Sequence, residues 1–343
     1  MADTLNNQST ELNDEFVVSV VVPVYNEEEG IDALFDRVIK VLNGLGEQFE
    51  IVCVDDGSSD SSAKIIRRWI ERHQEIRLIS LTRNFGKERA MAAGLDYAIG
   101  QVVIPIDADL QDPPELIPEM LNKWREGFEM VIAARNNRPG DTLVKRRSAD
   151  YFYRIMNRLS EVPLPRNAGD FRLMDRKVVD TLRNLPERTR FHKGLFAWLG
   201  FKTCLLEFDR PERVDGESKW NYWRLWNYAI GGIFSFSAAP LKVWTYIGTL
   251  SAITGFVYAT YIIVRTLIFG IDVPGYASLL VLMLFLNGLS MIGIGVVGEY
   301  VGRIFEEVKR RPIYLVNSVE GGNGPTTVQA PVPIVRGPGD HSL

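Results

Sequence analysis

The stretch IPIDADLQDPPE, residues 104–115, sets four acidic side chains, Asp107, Asp109, Asp112 and Glu115, directly behind an apolar run. An apolar run that ends abruptly in carboxylates reads as a buried strand opening onto a ligand, because α/β sheets bind ligands beyond the carboxyl ends of their strands. The same arrangement recurs upstream. VVSVVVPVY runs into NEEE, EIVCVDD into GSSD and IRLISL into RNFGKE, and EMVIAAR closes the series, with helices beginning near Glu28 and Ser61. Continuous β-branched runs alternating with helices predict a parallel sheet covered on both faces. The pattern therefore predicts a Rossmann-like α/β domain over residues 16–222, after a polar tail at 1–15, with four loops converging on one rim.

In an extended chain Asp107 and Asp109 project to the same side, about 6.6 Å apart at Cα for a rise of about 3.3 Å per residue. A single small cation, which holds its oxygen ligands at about 2.1 Å, is strained to take both directly. Asp109 is therefore the expected metal ligand, while Asp107 binds the ion through water or accepts a sugar hydroxyl. Gln111 offers a further, neutral oxygen. Oxygen-only donors favour Mg²⁺ or Mn²⁺ over zinc, and such an ion completes its shell with phosphate oxygens. Asp112 and Glu115 have another explanation, as N-cap and first-turn acid of a helix beginning near Pro113.

Two uncharged apolar segments, Val243 to Val264 and Val273 to Gly298, are each about as long as the roughly 20 residues that cross a hydrocarbon core. Only FGIDVPG separates them, so a membrane hairpin fits better than two core helices, with spans at about 243–267 and 275–299 within 242–301. YWRLWNYAIGGIFSFSAAP precedes it; its aromatics predict amphipathic interfacial helices at 223–241. Lys219, Arg224 and Lys242 before the first span, and Arg303, Lys309, Arg310 and Arg311 after the second, place both termini and the α/β domain in the cytoplasm by the positive-inside rule. MADTLNNQSTELNDE has neither the basic start nor the apolar stretch of a signal peptide. Residues 302–343 read as a basic juxtamembrane segment followed, from about Asn317, by a disordered tail. Two cysteines, Cys53 and Cys204, are too few for a disulfide framework, and a net charge of −4 argues against nucleic-acid binding. Small residues in GIGVVGEYVG leave two arrangements open, a homo-oligomer or packing of one span on the other.

Taken in order, PVYNE, DDGSSD, RNFGKE, DADLQDPPE and RVDGESKW, over roughly residues 16–222, resemble glycosyltransferase family 2, specifically its polyisoprenyl-phosphate branch. The resemblance implies a GT-A fold. It implies that Pro23, Tyr25 and Glu27 line the base and ribose pocket, that Asp55 or Asp56 binds the base edge, and that Asp107, Ala108 and Asp109 to Gln111 hold metal and diphosphate. Arg135 matches a position near the diphosphate, and Arg213, Ser218 and Lys219 match the acceptor-phosphate site. Arg190, with Arg188 and Lys193, lies in a basic run that could share that role. Asp170 in GDFRLM matches an acid facing the sugar, where it orients a hydroxyl, stabilises positive character at the anomeric carbon or acts as base.

The function implied is metal-dependent, inverting transfer of a hexose, with UDP-glucose the first choice of donor, to undecaprenyl phosphate in a bacterial inner membrane. GDP-mannose, UDP-GlcNAc and a UDP-aminoarabinose donor are the alternatives, and a catalytically inactive membrane scaffold is the rival of another class. A processive polysaccharide synthase is disfavoured because the only Arg-Trp pair, Arg68-Trp69, lies upstream of the Asp-x-Asp and lacks the preceding Gln.

Overall fold

The three buried residues Val20, Val21 and Val22 sit in the middle of β1 (Val18–Val24), the central strand of an eight-stranded sheet. In a computed structural model, residues 18–135, 168–185, 187, 192–208, 239–270 and 275–322 are described. The remaining strands are β2 (Phe49–Asp55), β3 (Ile76–Leu81), β4 (Val102–Pro105), β5 (Met130–Arg135), β6 (Ala168–Asp175), β7 (Thr203–Phe208) and β8 (Val316–Gly321). Their order is β7-β5-β6-β4-β1-β2-β3-β8. β1 pairs in parallel with β2 on one side and β4 on the other, so its run of valines is enclosed by both neighbours and both faces.

The helices between these strands are α1 (Ile31–Asn43), α2 (Ser62–Ile70), α3 (Lys87–Tyr97) and α4 (Ile117–Arg125), followed by α5 (Arg176–Asn184) and α6 (His192–Trp198). In α1 the buried positions Ile31, Leu34, Phe35, Val38, Ile39 and Leu42 repeat at helical spacing and face the sheet. In contrast, α3 is small and almost wholly buried along Ala90 to Tyr97. It lies so close to the sheet that a methyl group at Gly94 would collide with Val21.

The expected parallel sheet is mixed. β6 runs antiparallel between β4 and β5, and β8 runs antiparallel to β3. Neither strand stands in the helix-strand alternation from which the parallel pattern was read, so each is free to enter the sheet in the opposite sense. The helix expected near Pro113 also differs. Its first turn is a short 3₁₀ segment, Pro114–Leu116, whose N-cap is Pro113, so Asp112 is not the capping residue; Glu115 does occupy the first turn.

The expectation of disorder from about Asn317 is corrected by β8. β3 would otherwise leave the sheet edge open, with unpaired backbone groups along six buried residues. β8 covers it, with Ile79 opposite Val319 and Leu78 opposite Glu320. Glu320 forms two hydrogen bonds with Arg67 of α2 at 2.8 and 3.0 Å, and the Tyr314 hydroxyl donates to Asp96 at 2.7 Å. At Gly321, φ is +74° and an added Cβ would lie 2.6 Å from Ile70, a position only glycine fills without strain. Residues beyond 322, the tail at 1–15 and the expected interfacial segment up to 238 lie outside the described residues.

The chain divides into two units, one formed by residues 1–149, 164–219 and 311–343 and holding the sheet, the other by 150–163 and 220–310. The second unit contains α7 (Ala239–Phe269) and α8 (Tyr276–Val308), of 31 and 33 residues. At about 1.5 Å per residue each is longer than a hydrocarbon core of about 30 Å. Almost none of their most apolar stretches is buried against protein, which separates them from the core helices of a soluble domain. α8 runs nine residues beyond the expected end at 299, because EYVGRIFEEV keeps helical character and Glu299 pairs with Arg303 at 3.0 Å. Of the small residues in GIGVVGEYVG, Gly293 makes room for the Trp244 ring of α7, while Gly295, Gly298 and Gly302 meet no such neighbour among the described residues.

The Arg67 hydrogen bonds hold the Glu320 carboxyl below its ordinary value, so the stability this pair contributes is present near neutrality. It should be lost as pH falls below the ordinary value of 4.5 and on through the lowered one. Protection of the Val316–Gly321 amides, corrected for the intrinsic pH dependence of exchange, should fall over that range in the native chain and stay constant there in Glu320→Gln, with the β1 amides unaffected. An unchanged pH dependence in Glu320→Gln would refute this origin.

Candidate active site

Because β1 leads to β2 and β3 on one side while β4 lies on the other, the sheet order reverses between β1 and β4, the place where such sheets open a crevice. The loops after β1, β2, β3 and β4 all end there. They are built as one interlocked unit. Asn26, held at φ +55°, accepts from the Ser59 N–H at 2.8 Å, and its own N–H donates to the Ser58 hydroxyl at 3.1 Å. The Glu27 N–H donates to Ser62, and the Ser61 N–H to Glu28. The NEEE and DDGSSD loops therefore satisfy each other's backbone groups. Gly57, at φ +71°, has backbone of Arg83 and Asn84 within 2.7 and 2.8 Å of where a Cβ would stand. Gly30 approaches the carbonyl of Ala108 in the same way, at 3.1 Å.

The two adjacent aspartates at the end of β2 have different tasks. Asp56 is buried and its two carboxylate oxygens accept the N–H groups of Phe85 and Gly86 at 2.7 and 2.8 Å. Burial lifts its pKa above the ordinary value, against the pull of those two N–H groups. Asp55 gives one oxygen to the Ser58 N–H at 3.0 Å, a local turn contact.

Asp56 fixes the backbone at Gly86, and Lys87 follows as the first residue of α3. Its ammonium lies 2.7 Å from Asp107 and 2.8 Å from Asp170. β6 explains why these carboxylates meet. Val102 stands opposite Asp175 and Val103 opposite Met174, and continuing that antiparallel register to the end of β4 brings Asp170 level with Asp107. Burial, together with the neighbouring charges of Asp170 and Asp109, lifts the pKa of Asp107 despite the Lys87 ammonium. Against burial, which would lower it, the two carboxylates raise that of Lys87, so the bridge keeps its positive charge.

Asp109 is exposed, and one of its oxygens accepts the Gln111 N–H at 3.1 Å across a turn in which Leu110 takes φ +58°. Gln111 and Asp112 are buried. Glu115 is held by Arg37 of α1 through both its oxygens, at 2.8 to 3.1 Å, which pins the loop to that helix. Among the described residues no three His, Cys, Asp or Glu side chains group to hold a metal. The donors present are thus oxygens from Asp107 and Asp109, a set suited to a hard cation that takes its remaining ligands from phosphate and water.

Of the residues singled out from sequence, Pro23, Tyr25, Glu27, Asp55, Asp56, Asp107, Ala108 and Asp109 lie at the carboxyl ends of β1, β2 and β4. Tyr25 is 47% exposed and presents its ring at the rim. Arg135 closes β5. Asp170 comes to the site from β6. Arg190, Arg213, Ser218 and Lys219, with Arg188, lie outside the described residues. Lys87 was missed, although the sequence carries a signal for it: a lysine in the first turn of a helix opposes the helix dipole and calls for a reason. Arg172, two residues beyond Asp170, is likewise new. It is buried, donates to the Gly169 carbonyl at 2.6 Å and stacks on Phe196 at 3.9 Å; burial pushes its pKa down to about 10.

Residues 19–183 match the glycosyl transferase family 2 profile, and residues 239–304 match that of the GtrB C-terminal hairpin. An uncharacterised glycosyltransferase of Synechocystis sp. is 53% identical over 304 residues, 89% of this chain and 96% of that protein. The SfII prophage-derived bactoprenol glucosyl transferase of Shigella flexneri is 49% identical over 89% of this chain and 99% of its own length. A prophage bactoprenol glucosyl transferase homolog of Escherichia coli K12 is 47% identical over 88% and 99%.

The loop contacts predict that Gly57→Ala and Asp56→Ala each destabilise the chain. The first forces a left-handed alanine against Arg83, and the second strands two N–H groups, at about 1–3 kcal/mol apiece. Thermal unfolding in detergent should show both losses; a melting temperature unchanged in either variant would contradict the interlocked-loop account.

Proposed function

Because the chain belongs to glycosyl transferase family 2 and is therefore a glycosyltransferase, we propose that it transfers a glucosyl unit from UDP-glucose to undecaprenyl phosphate in the bilayer. The observation that carries this reading is the 49% identity to a bactoprenol glucosyl transferase, which spans both the sheet and the two apolar helices. β8 supports the hairpin topology, because it follows the second helix yet belongs to the same sheet as the strands that precede the first. A chain that crosses the bilayer twice returns to the side it left, which we take to be the cytoplasm.

Asp109 and Asp107, with Gln111 beside them, would hold a Mg²⁺ or Mn²⁺ ion. Bound there, the ion supplies positive charge against the diphosphate leaving group. Asp55 is the better choice for the base edge, since both oxygens of Asp56 are engaged by Phe85 and Gly86. By their match to the family motifs, Pro23, Tyr25 and Glu27 are assigned to the base and ribose pocket and Arg135 to the diphosphate. Arg213, Ser218 and Lys219, with Arg190, receive the acceptor phosphate, for which arginine and lysine supply the charge that the ion alone cannot balance.

The acceptor needs little activation. A phosphate monoester has a second pKa near about 6, so its oxygen is largely ionised at neutral pH and attacks the anomeric carbon directly. The new carbon–oxygen bond forms as the bond to the diphosphate breaks, and the configuration inverts. Asp170 faces the sugar, orienting a hydroxyl and stabilising positive charge as it develops at the anomeric carbon.

Purified full-length chain offered a panel of radiolabelled nucleotide sugars with undecaprenyl phosphate and Mn²⁺ should label the lipid from UDP-glucose in preference to GDP-mannose, UDP-GlcNAc or UDP-aminoarabinose. Preference for another donor would overturn the choice of sugar, and labelling of none would overturn the acceptor. Asp109→Ala should remove transfer by at least about 10²-fold without lowering the melting temperature. Full turnover in that variant would show that Asp109 has no part in the reaction.

A further inference from the structure

We propose that Lys87 is a positioning residue for glycosyl transfer, its ammonium holding the carboxylates of Asp107 and Asp170 in one fixed arrangement at the carboxyl end of β4. This deepens the functional reading above and rests on it. The argument starts from strand register. Continued past Val103, the antiparallel register of β4 and β6 carries Asp170 towards Asp107 beyond the end of β4, and like charges held close together repel. Asp109, two residues on, adds a third negative charge. A cation between the first two offsets this repulsion.

Lys87 supplies it, at 2.7 Å from one carboxylate and 2.8 Å from the other. Its placement is itself determined. Asp56 accepts from both Phe85 and Gly86, and Gly86 takes φ +97° immediately before Lys87, so the loop after β3 delivers the side chain from a clamped backbone. A lysine in this first helical turn costs some helix stability through the dipole. The cost is offset by the two ion pairs. A compact ammonium with three rotatable donors suits two carboxylates better than the planar arginine fork.

The side chains of Lys87 and Asp107 remain 45% and 31% exposed, so the bridge faces the crevice and is no part of the core. Asp170 is 17% exposed. Without the ammonium, the Asp107 and Asp170 carboxylates repel each other and move apart. Asp170 would then no longer face the sugar in a fixed position. Lys87 thus acts through the two aspartates and leaves the nucleotide pocket of the β1 and β2 loops untouched.

The test compares the full-length native chain with Lys87→Met, Lys87→Arg, Asp170→Asn and the Lys87→Met/Asp170→Asn double variant, all in detergent. Three quantities are measured: transfer from UDP-glucose to undecaprenyl phosphate, UDP affinity by calorimetry, and melting temperature. In Lys87→Met kcat should fall about 10²-fold, as expected of a misplaced reacting group, while UDP affinity measured without divalent metal, which reads the base and ribose contacts of the β1 and β2 loops, stays within about threefold. Lys87→Arg should recover at least about tenfold of that loss. The double variant should lose less activity than the product of the two single losses, and it should melt above Lys87→Met because part of the uncompensated charge is gone. A Lys87→Met enzyme with kcat within about threefold of the native chain, or losses that multiply in the double variant, would overturn the proposal. A native chain that turns over no donor would overturn the functional reading instead. The melting temperatures would then still decide whether the bridge couples these residues, additive shifts showing that it does not.

Discussion

The pairing of β1 with β2 on one side and β4 on the other is the constraint from which the rest of the catalytic unit follows. A strand enclosed on both edges and both faces can carry only apolar side chains along its length, and its polar residues are forced to its end. The neighbours β2, β3 and β4 obey the same rule. Their carboxyl ends collect Tyr25, Glu27, Asp55, Asp56, Lys87, Asp107 and Asp109 at one rim, where the reversal of strand order opens space for a ligand. The site is a consequence of the burial of the strands that lead to it.

Crowding so much charge at one rim has to be made tolerable. Backbone N–H groups do this for Asp56, an arginine does it for Glu115, and Lys87 does it for Asp107 together with Asp170. Asp109 stays exposed, its carboxylate accepting the Gln111 N–H across a local turn. That contrast gives physical grounds for assigning it the metal. A carboxylate already neutralised by lysine offers less to a cation than one facing solvent.

β8 joins the catalytic sheet to the chain that leaves the apolar hairpin. It protects the edge of β3, and it does so beside the loop that carries Lys87, since the Thr82 N–H donates to the Leu315 carbonyl at 3.0 Å. A chain cut before the hairpin would lose this strand along with the helices. Loss of activity in such a truncation would therefore not by itself measure the contribution of the membrane anchor.

Much of this was legible in the residues alone. The valine runs determined the central strands, the abrupt DADLQD and DDGSSD endings determined the rim, and the two uncharged segments determined the apolar helices, because each depends on local burial or local charge. What sequence could not decide were pairings between distant segments. GDFRLMD carries mixed polarity and reads as nothing regular until β4 and β5 enclose it; only that antiparallel register brings Asp170 to Asp107 and makes sense of Lys87. VNSVEG looks like the start of a loose polar tail, and it becomes a strand because β3 has an open edge and Arg67 stands ready for Glu320. Local chemistry is written along the chain, whereas the meeting of two like charges, and the cation that reconciles them, exists only once the sheet has closed.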